Sequence, residues 1–492
     1  MSLTSPDIDL RAFYGGEYHV TSGESCAVTN PATGVSDYSF TTANEGDVAA
    51  AVSAARDAFD HGPWAGLPPM TRRFMLLAFA AAIEKKAEVL AAADSLDMGK
   101  PISAARQEVG IAAGFIRYYA EAIDKFYPGQ IPPTPGNVLE TQIYRPRGVI
   151  AAITPWNFPI INAALKLGPA LAAGNTVVIK PSEIAPRSTL ELGRIANEAG
   201  LPPGVLNIVP GAGPTGQALV SDRNVDMVTF TGSTATGKAL MRLVGESSLK
   251  PLLLECGGKS PEIVCADMAG QDLNAMGKMI AQGAFWNQGQ VCVARSRLIV
   301  HSSLADRLLP AILLAASSMK AAEPHLPGTM FGPMASKRQY EKVLAAIASG
   351  LADGAKFVLD GRKAKTPGKG FYIGPSVFTE VPAGSSLEQQ EIFGPVLSMQ
   401  IFDHLDQAIE LANTTEYGLA ATIWTRDSVT AHSLSYAVRS GRTKILTAPI
   451  ESMGALFAHC FEPAGQSGFG IDGGLKGMAS YMRLQSIEHV FG

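Results

Sequence analysis

The sequence predicts an α/β protein organised around parallel sheets, on three observations. Strand-length apolar runs alternate with helical segments from residue 148 to 245, and a second alternating series runs from about 258 to 445. Between them Val225-Asp226-Met227-Val228-Thr229-Phe230 passes directly into the glycine turn Thr231-Gly232-Ser233 and a following helix. Apolar strands separated by helices are those of a sheet covered on both faces.

Taken in order, a loop-rich opening ends at Asn44-Glu45-Gly46-Asp47, which can cap a helix whose apolar positions Val48, Val52, Ala55 and Phe59 repeat at helical spacing. Residues 71–96 and 102–122 read as further long helices punctuated by Pro101, and a proline-rich stretch, 128–135, breaks the pattern. Strands are expected at 148–154, 176–179, 205–209 and 225–230. Helices are expected at 161–172, 187–199, 214–220 and 234–245. There is no internal repeat and no low-complexity tract.

With 492 residues, 47% of them hydrophobic, the chain has room for two or three domains and an ample core. Its net charge of −4 carries no long run of either sign, so nucleic acid and anionic membrane are not expected partners. Five scattered cysteines without a C-x-x-C pair argue for reduced thiols in a cytoplasmic protein, and no metal-ligand spacing is present. Neither a signal peptide nor an apolar stretch long enough to span a bilayer is visible.

Chemistry concentrates in Phe285-Trp286-Asn287-Gln288-Gly289-Gln290-Val291-Cys292. A polar, turn-forming run presents one cysteine, with Gly289 removing a side chain beside the thiol and Val291 and Val293 flanking it. A lone cysteine is most often an inert buried residue, and a thiol with a free pKa of roughly 8.5 needs local help to become a nucleophile. Two further motifs give it company. The Thr231-Gly232-Ser233 turn can bring backbone N–H groups and a helix N-terminus to an anion. At another strand end, Lys180-Pro181-Ser182-Glu183 could hydrogen-bond a ribose diol, and an acid there disfavours a 2′-phosphate.

Six segments in this order resemble the NAD(P)-dependent, non-acylating aldehyde dehydrogenase superfamily over residues 10–445: Thr154-Pro155-Trp156-Asn157-Phe158-Pro159, Lys180-Pro181-Ser182-Glu183, Phe230-Thr231-Gly232-Ser233, Glu255-Cys256-Gly257-Gly258-Lys259-Ser260-Pro261, Gln288-Gly289-Gln290-Val291-Cys292 and Glu391-Ile392-Phe393-Gly394-Pro395. The resemblance implies a Rossmann-like NAD-binding domain (1–123 and 147–257), a catalytic domain (258–476) and a small β extension (124–146 and 477–492) that pairs subunits into a homodimer or homotetramer. It implies Cys292 as nucleophile and the Asn157 amide with the Cys292 N–H as oxyanion donors. Glu255 would be the base for thioester hydrolysis, its pKa raised at the end of the apolar run Pro251-Leu252-Leu253-Leu254. Lys166 and Asp472 would form a proton relay. For the cofactor, NAD in preference to NADP, Lys180 and Glu183 would hold the adenosine ribose and Ser233 the pyrophosphate. Gly232, Thr154 and Trp156 would lie along the cofactor, with Glu391 on the nicotinamide ribose and Phe393 packed nearby. Asn162, Leu165, Trp286, Val291, Val293 and Phe461 would line a tunnel suited to a medium-sized apolar or aromatic aldehyde.

Past Gly441 the pattern departs. Arg442-Thr443-Lys444-Ile445-Leu446-Thr447 stands where relatives carry a Thr-Val-Trp-Val-Asn-like strand, and Cys460-Phe461-Glu462-Pro463-Ala464-Gly465 replaces a Pro-Phe-Gly-Gly-x-Lys segment. Ile471 stands where arginine is common, and Gln390 replaces a frequent glutamate. The departure bears on the substrate mouth and leaves Asn157, Glu255 and Cys292 intact. A CoA-acylating relative would have no use for Glu255, a silent cofactor-binding homologue would not need all three residues, and a cysteine hydrolase would need a base such as histidine beside Cys292.

Overall fold

The computed structural model describes residues 5–126, 131, 136–450, 454 and 456–492, so the proline-rich stretch 128–135 lies almost entirely outside the described residues. Helix α1 (Glu45–Asp60) begins where expected. Asn44 Oδ1 accepts from the Asp47 N–H, and the Asp47 carboxylate accepts from the Asn44 N–H, closing a reciprocal cap. Its buried stripe is completed by Ala58, with Phe59 half-buried at its edge.

The single helix expected over 71–96 is two, α2 (Pro69–Lys85) and α3 (Ala87–Met98), broken at Lys86. No proline or glycine marks the break. Leu76, Phe79, Ala80 and Ile83 form one buried stripe on α2, whereas α3 is buried along almost all of its length from Leu90. The two helices thus bury different extents of their surfaces, a stripe on one and nearly the whole circumference on the other. Gly99, in the left-handed region at φ +76°, stops α3, and Pro101 precedes α4 (Ile102–Ala122).

Five parallel strands form the heart of the first sheet: β1 (Val149–Ile153), β2 (Thr176–Lys180), β3 (Leu206–Ile208), β4 (Met227–Thr231) and β5 (Leu252–Glu255). Their order, β3-β2-β1-β4-β5, reverses direction between β1 and β4, the switch point at which dinucleotide-binding sheets open a crevice. Helices α5 (Pro159–Ala172), α6 (Arg187–Glu198), α7 (Gly213–Ser221) and α8 (Thr234–Ser247) connect them. The sheet is not wholly parallel: Ala12–Tyr14 and Glu17–His19 extend the β3 edge and Gly468–Phe469 the β5 edge, all antiparallel. Those strands arrive as a hairpin and as a returning segment, without the crossover helix a parallel neighbour needs.

The second sheet contains β6 (Pro261–Val264), β7 (Arg297–His301), β8 (Ser376–Thr379), β9 (Val396–Phe402), β10 (Ala420–Trp424) and β11 (Arg442–Leu446), in the order β8-β9-β7-β6-β10-β11. All are parallel, with Lys356–Leu359 added antiparallel outside β8. The departing Arg442–Leu446 sequence therefore still makes a strand, pairing in register with β10. Helices α9 (Leu273–Phe285), α10 (Ser302–Ser318) and α11 (Lys337–Ala352) belong to this lobe. After Gly468–Phe469 the chain packs Met478 and Tyr481 into the first lobe's core, then leaves as Met482–Val490, which pairs antiparallel with Val138–Pro146 in a two-stranded arm. Among the described residues no helix is long and apolar enough to cross a membrane.

Candidate active site

The carboxyl ends of β1, β2, β4 and β5 deliver the residues singled out in the first lobe. Thr154 follows β1, and its buried Oγ1 has no hydrogen-bond partner. At the end of β2 the buried Lys180 donates to the carbonyls of Pro181 (2.7 Å) and Gly211 (2.8 Å). Burial lowers the pKa of its ammonium, and the half-buried Glu183 carboxylate pulls the other way. After β4, Gly232 is required because a Cβ would collide with the Phe230 ring, and its N–H donates to the Glu255 carbonyl (2.9 Å). Exposed Ser233 caps α8, its Oγ accepting from the Thr236 N–H. An exposed helix N-terminus after one strand, and a lysine and an acid after another of the same sheet, are groups that fit a pyrophosphate and a ribose.

From the second lobe, Glu391 reaches across to accept from the Gly258 N–H (2.9 Å). Gly257 permits this approach, since a Cβ there would strike the Glu391 carboxylate. Burial raises the pKa of Glu391. Phe393 sits in the left-handed region at φ +57° and meets the Trp156 ring edge-on at 5.4 Å. Gln339 on α11 donates to the carbonyls of Ile392 (3.1 Å) and Phe393 (2.9 Å), which fixes that turn.

The cysteine loop leaves α9 through a turn in which Asn287 (φ 49°), Gln288 (φ 58°) and Gly289 (φ 69°) are all left-handed. The reason for Gly289 differs from the expectation: its missing side chain clears the Gly394 carbonyl, onto which the turn packs, and not the approach to the thiol. Val291 is buried beneath the loop, and Val293 is exposed. Cys292 keeps partial surface exposure, yet burial of its thiol and the charges of Glu255 and Glu391 push its pKa up to about 12. The local help expected for the thiolate is thus not supplied by these protein charges, which are negative.

Asn157 lies against this loop, its Nδ2 donating to the Gln290 carbonyl (2.9 Å) two residues before Cys292. Its own carbonyl accepts from Asn287 Nδ2 (3.1 Å) and from Lys100 Nζ (2.8 Å). Glu255 ends β5 buried, with Oε1 lacking a partner. Burial raises its pKa well above the ordinary carboxylate value, the Asp472 charge adds to this and the Lys166 ammonium opposes it. Lys166 and Asp472 form a buried ion pair (2.6 Å), and Asp472 Oδ1 also accepts from the Gly473 N–H. Burial raises the phenols of Tyr119 and Tyr481, and the nearby Asp472 charge adds to this.

Beside the loop, Phe158, Val291 and Ala294 make a small apolar cluster with Ile161, and the half-exposed Trp286 ring stands 5.2 Å from Phe158. Asn162 Nδ2 donates back to the Phe158 carbonyl (3.0 Å), so its amide helps to hold the start of α5. Leu165 is half-buried against the first core. Phe461 is half-buried and bridges Asp472 through paired backbone hydrogen bonds, which brings the departing segment to the Lys166–Asp472 ion pair. Lys100, Glu108, Gln339 and Ile161 were missed by the sequence reading. Ile161 follows the Trp156-Asn157-Phe158 motif and could have been found by its helical offset, whereas nothing in the sequence distinguishes a buried Lys100 from a surface one.

Comparison with known proteins identifies relatives of the whole chain. The family model described as the aldehyde dehydrogenase family matches residues 19–487. The chain is 40% identical to the NADP/NAD-dependent aldehyde dehydrogenase PuuC of Escherichia coli, over 98% of this chain and 95% of that protein. It is 37% identical to the mitochondrial benzaldehyde dehydrogenase of Antirrhinum majus, over 95% of this chain and 86% of that one. Among solved structures, a mutant of the P. syringae indole-3-acetaldehyde dehydrogenase AldA, in complex with NAD+ and IAA, superposes with a TM-score of 0.94 at 40% identity, covering 99% of this chain and 97% of that one.

Proposed function

The chain belongs to the aldehyde dehydrogenase family, and from that membership we propose that it oxidises an aldehyde to the carboxylic acid through a thioester on Cys292, with NAD as hydride acceptor. The observation that carries the reading is the meeting of three groups from separate elements: the Cys292 loop, the Asn157 amide bonded to Gln290 of that loop, and the unpartnered carboxylate of Glu255.

Cys292 adds to the aldehyde carbon, and the oxyanion of the thiohemiacetal is held by the Asn157 amide and the Cys292 N–H. When bound, NAD supplies the hydride acceptor and a cationic ring that offsets the negative charges around the thiol. Lys180 and Glu183 would hold its adenosine ribose and Ser233 its pyrophosphate, Thr154, Trp156 and Gly232 would lie along it, and Glu391 would hold the nicotinamide ribose with Phe393 packed nearby. Glu255, desolvated and raised in pKa, takes a proton from water as the water attacks the thioester. The Lys166–Asp472 pair tunes that base and passes its proton outward.

We further infer a medium-sized apolar or aromatic aldehyde, on the strength of the apolar cluster of Phe158, Ile161, Val291 and Ala294 with the adjoining Trp286 ring, and of the relatives named for indole-3-acetaldehyde and benzaldehyde. NADH appearance with aliphatic, aromatic and amino-substituted aldehydes, without CoA and beside Cys292→Ala, tests the proposal. Turnover led by the aromatic members and abolished in the variant is expected. Preference for a charged aldehyde overturns the substrate class, and a requirement for CoA overturns the hydrolytic route.

A further inference from the structure

We propose that the buried Lys100–Glu108 pair is a positioning device that fixes the Asn157 amide against the Cys292 loop, an inference that rests on the reading of Asn157 as oxyanion donor. Lys100 lies between α3 and α4 and is fully buried, as is Glu108 on α4. Its ammonium donates to Glu108 Oε1 (2.6 Å) and to the Asn157 carbonyl (2.8 Å). It also stands 3.9 Å from the centre of the Phe158 ring. The Asn157 carbonyl takes a second donor, Asn287 Nδ2, from the cysteine loop itself.

A buried contact between two loops needs no charge for cohesion, and a buried ion pair is often replaceable by apolar residues of similar volume without loss of stability. What apolar residues cannot do is donate to a carbonyl. The Asn157 peptide is pinned from one side by Lys100 and from the other by Asn287, which sets the direction in which its side chain leaves the backbone. The amide then has only its own two torsions to place Nδ2, and the bond to the Gln290 carbonyl settles those. Glu108 holds the lysine charged and aimed, since burial alone lowers the ammonium's pKa and the Glu108 carboxylate raises it. Lys100 bonds the Asn157 carbonyl and Glu108 bonds Lys100, so the pair acts through Asn157.

The test replaces the pair with apolar side chains, Lys100→Met with Glu108→Leu, in the full-length enzyme and again in an Asn157→Ala background. In the otherwise native enzyme kcat is expected to fall roughly 10- to 100-fold, the scale of a displaced catalytic group, with the KM for NAD and the melting temperature held. In the Asn157→Ala background the same replacement is expected to cost less than about twofold, because the group it positions is gone. Equal losses in both backgrounds, or a native kcat in the paired variant, would overturn the proposal. Should the paired variant fail to fold, the same cycle is run with Lys100→Arg, whose fork keeps the charge but changes the reach to the carbonyl, and the same non-additivity decides. A native kcat in Asn157→Ala alone overturns the oxyanion reading itself, an outcome distinct from an additive cycle, which removes only the positioning role.

Discussion

At Cys292 the protein's charges oppose the chemistry: burial and two carboxylates push the thiol up to about 12. Alkylation of this thiol at pH 7 is therefore expected to be slow in the free enzyme and several-fold faster on adding oxidised cofactor, but not reduced cofactor, as followed by iodoacetamide labelling. Glu255 carries the complementary prediction. Its pKa is raised, so it loses its proton only above the ordinary glutamate range, and the acid limb of the kcat–pH profile should lie there. Asp472→Asn should move that limb to lower pH, because the Asp472 charge raises Glu255 and the Lys166 ammonium, which lowers it, would be left unopposed. A limb unmoved in the variant would separate the relay pair from the base. That Asn157, Glu255 and Cys292 belong to one site was legible from motif order, but the sign of the environment at Cys292 was not. It depends on carboxylates 37 and 99 residues away in the chain, brought together only by the fold.

Among the elements, α3 carries a buried charge that the site does not use. Both oxygens of Asp94 lack a sound hydrogen bond, and burial, partly offset by the Ser188 hydroxyl and the Lys100 ammonium, lifts its pKa from 3.8 to about 7. A carboxyl raised in the folded state binds its proton more tightly there, so its contribution to stability is full below about 3.8 and is lost as pH rises through about 7. Asp94→Asn stays neutral and should gain on the native protein through that window, by roughly 1–3 kcal/mol at pH 8, read as a melting-temperature difference absent at pH 3. The turn after α9 makes the opposite prediction. Gly289→Ala puts a Cβ on a left-handed residue and into the Gly394 carbonyl, and should cost about 1–3 kcal/mol of stability along with much of the activity. Most strands and helices of the first lobe were legible because their apolar runs are continuous and their caps explicit, as at Asn44. The break at Lys86 was not, since a helix bends to meet two packing surfaces and no residue type announces that.

Across the whole molecule, the two lobes divide the work: the first brings four strand ends to the crevice, and the second lowers the Cys292 and Glu391–Phe393 loops onto it. The arm stands apart. Leu139 and Ile487 lie on one face of its two strands, and both are exposed in the single chain. A two-stranded ribbon with bare apolar positions is weakly stable alone, and pairing between subunits would cover it. Leu139→Glu with Ile487→Glu is expected to shift the protein toward single chains in light scattering. The pairing of 138–146 with 482–490 could be anticipated only through the family resemblance, because nothing local links two segments so far apart in sequence. If Glu255 activates the water that hydrolyses a thioester on Cys292, a single-turnover experiment on Glu255→Gln reads that step most directly. Mixed with NAD and an aromatic aldehyde, the variant should release one equivalent of NADH and then stall, with the acyl mass on the Cys292 peptide. Steady turnover at the native rate, or no NADH and no added mass with NAD bound, would contradict it.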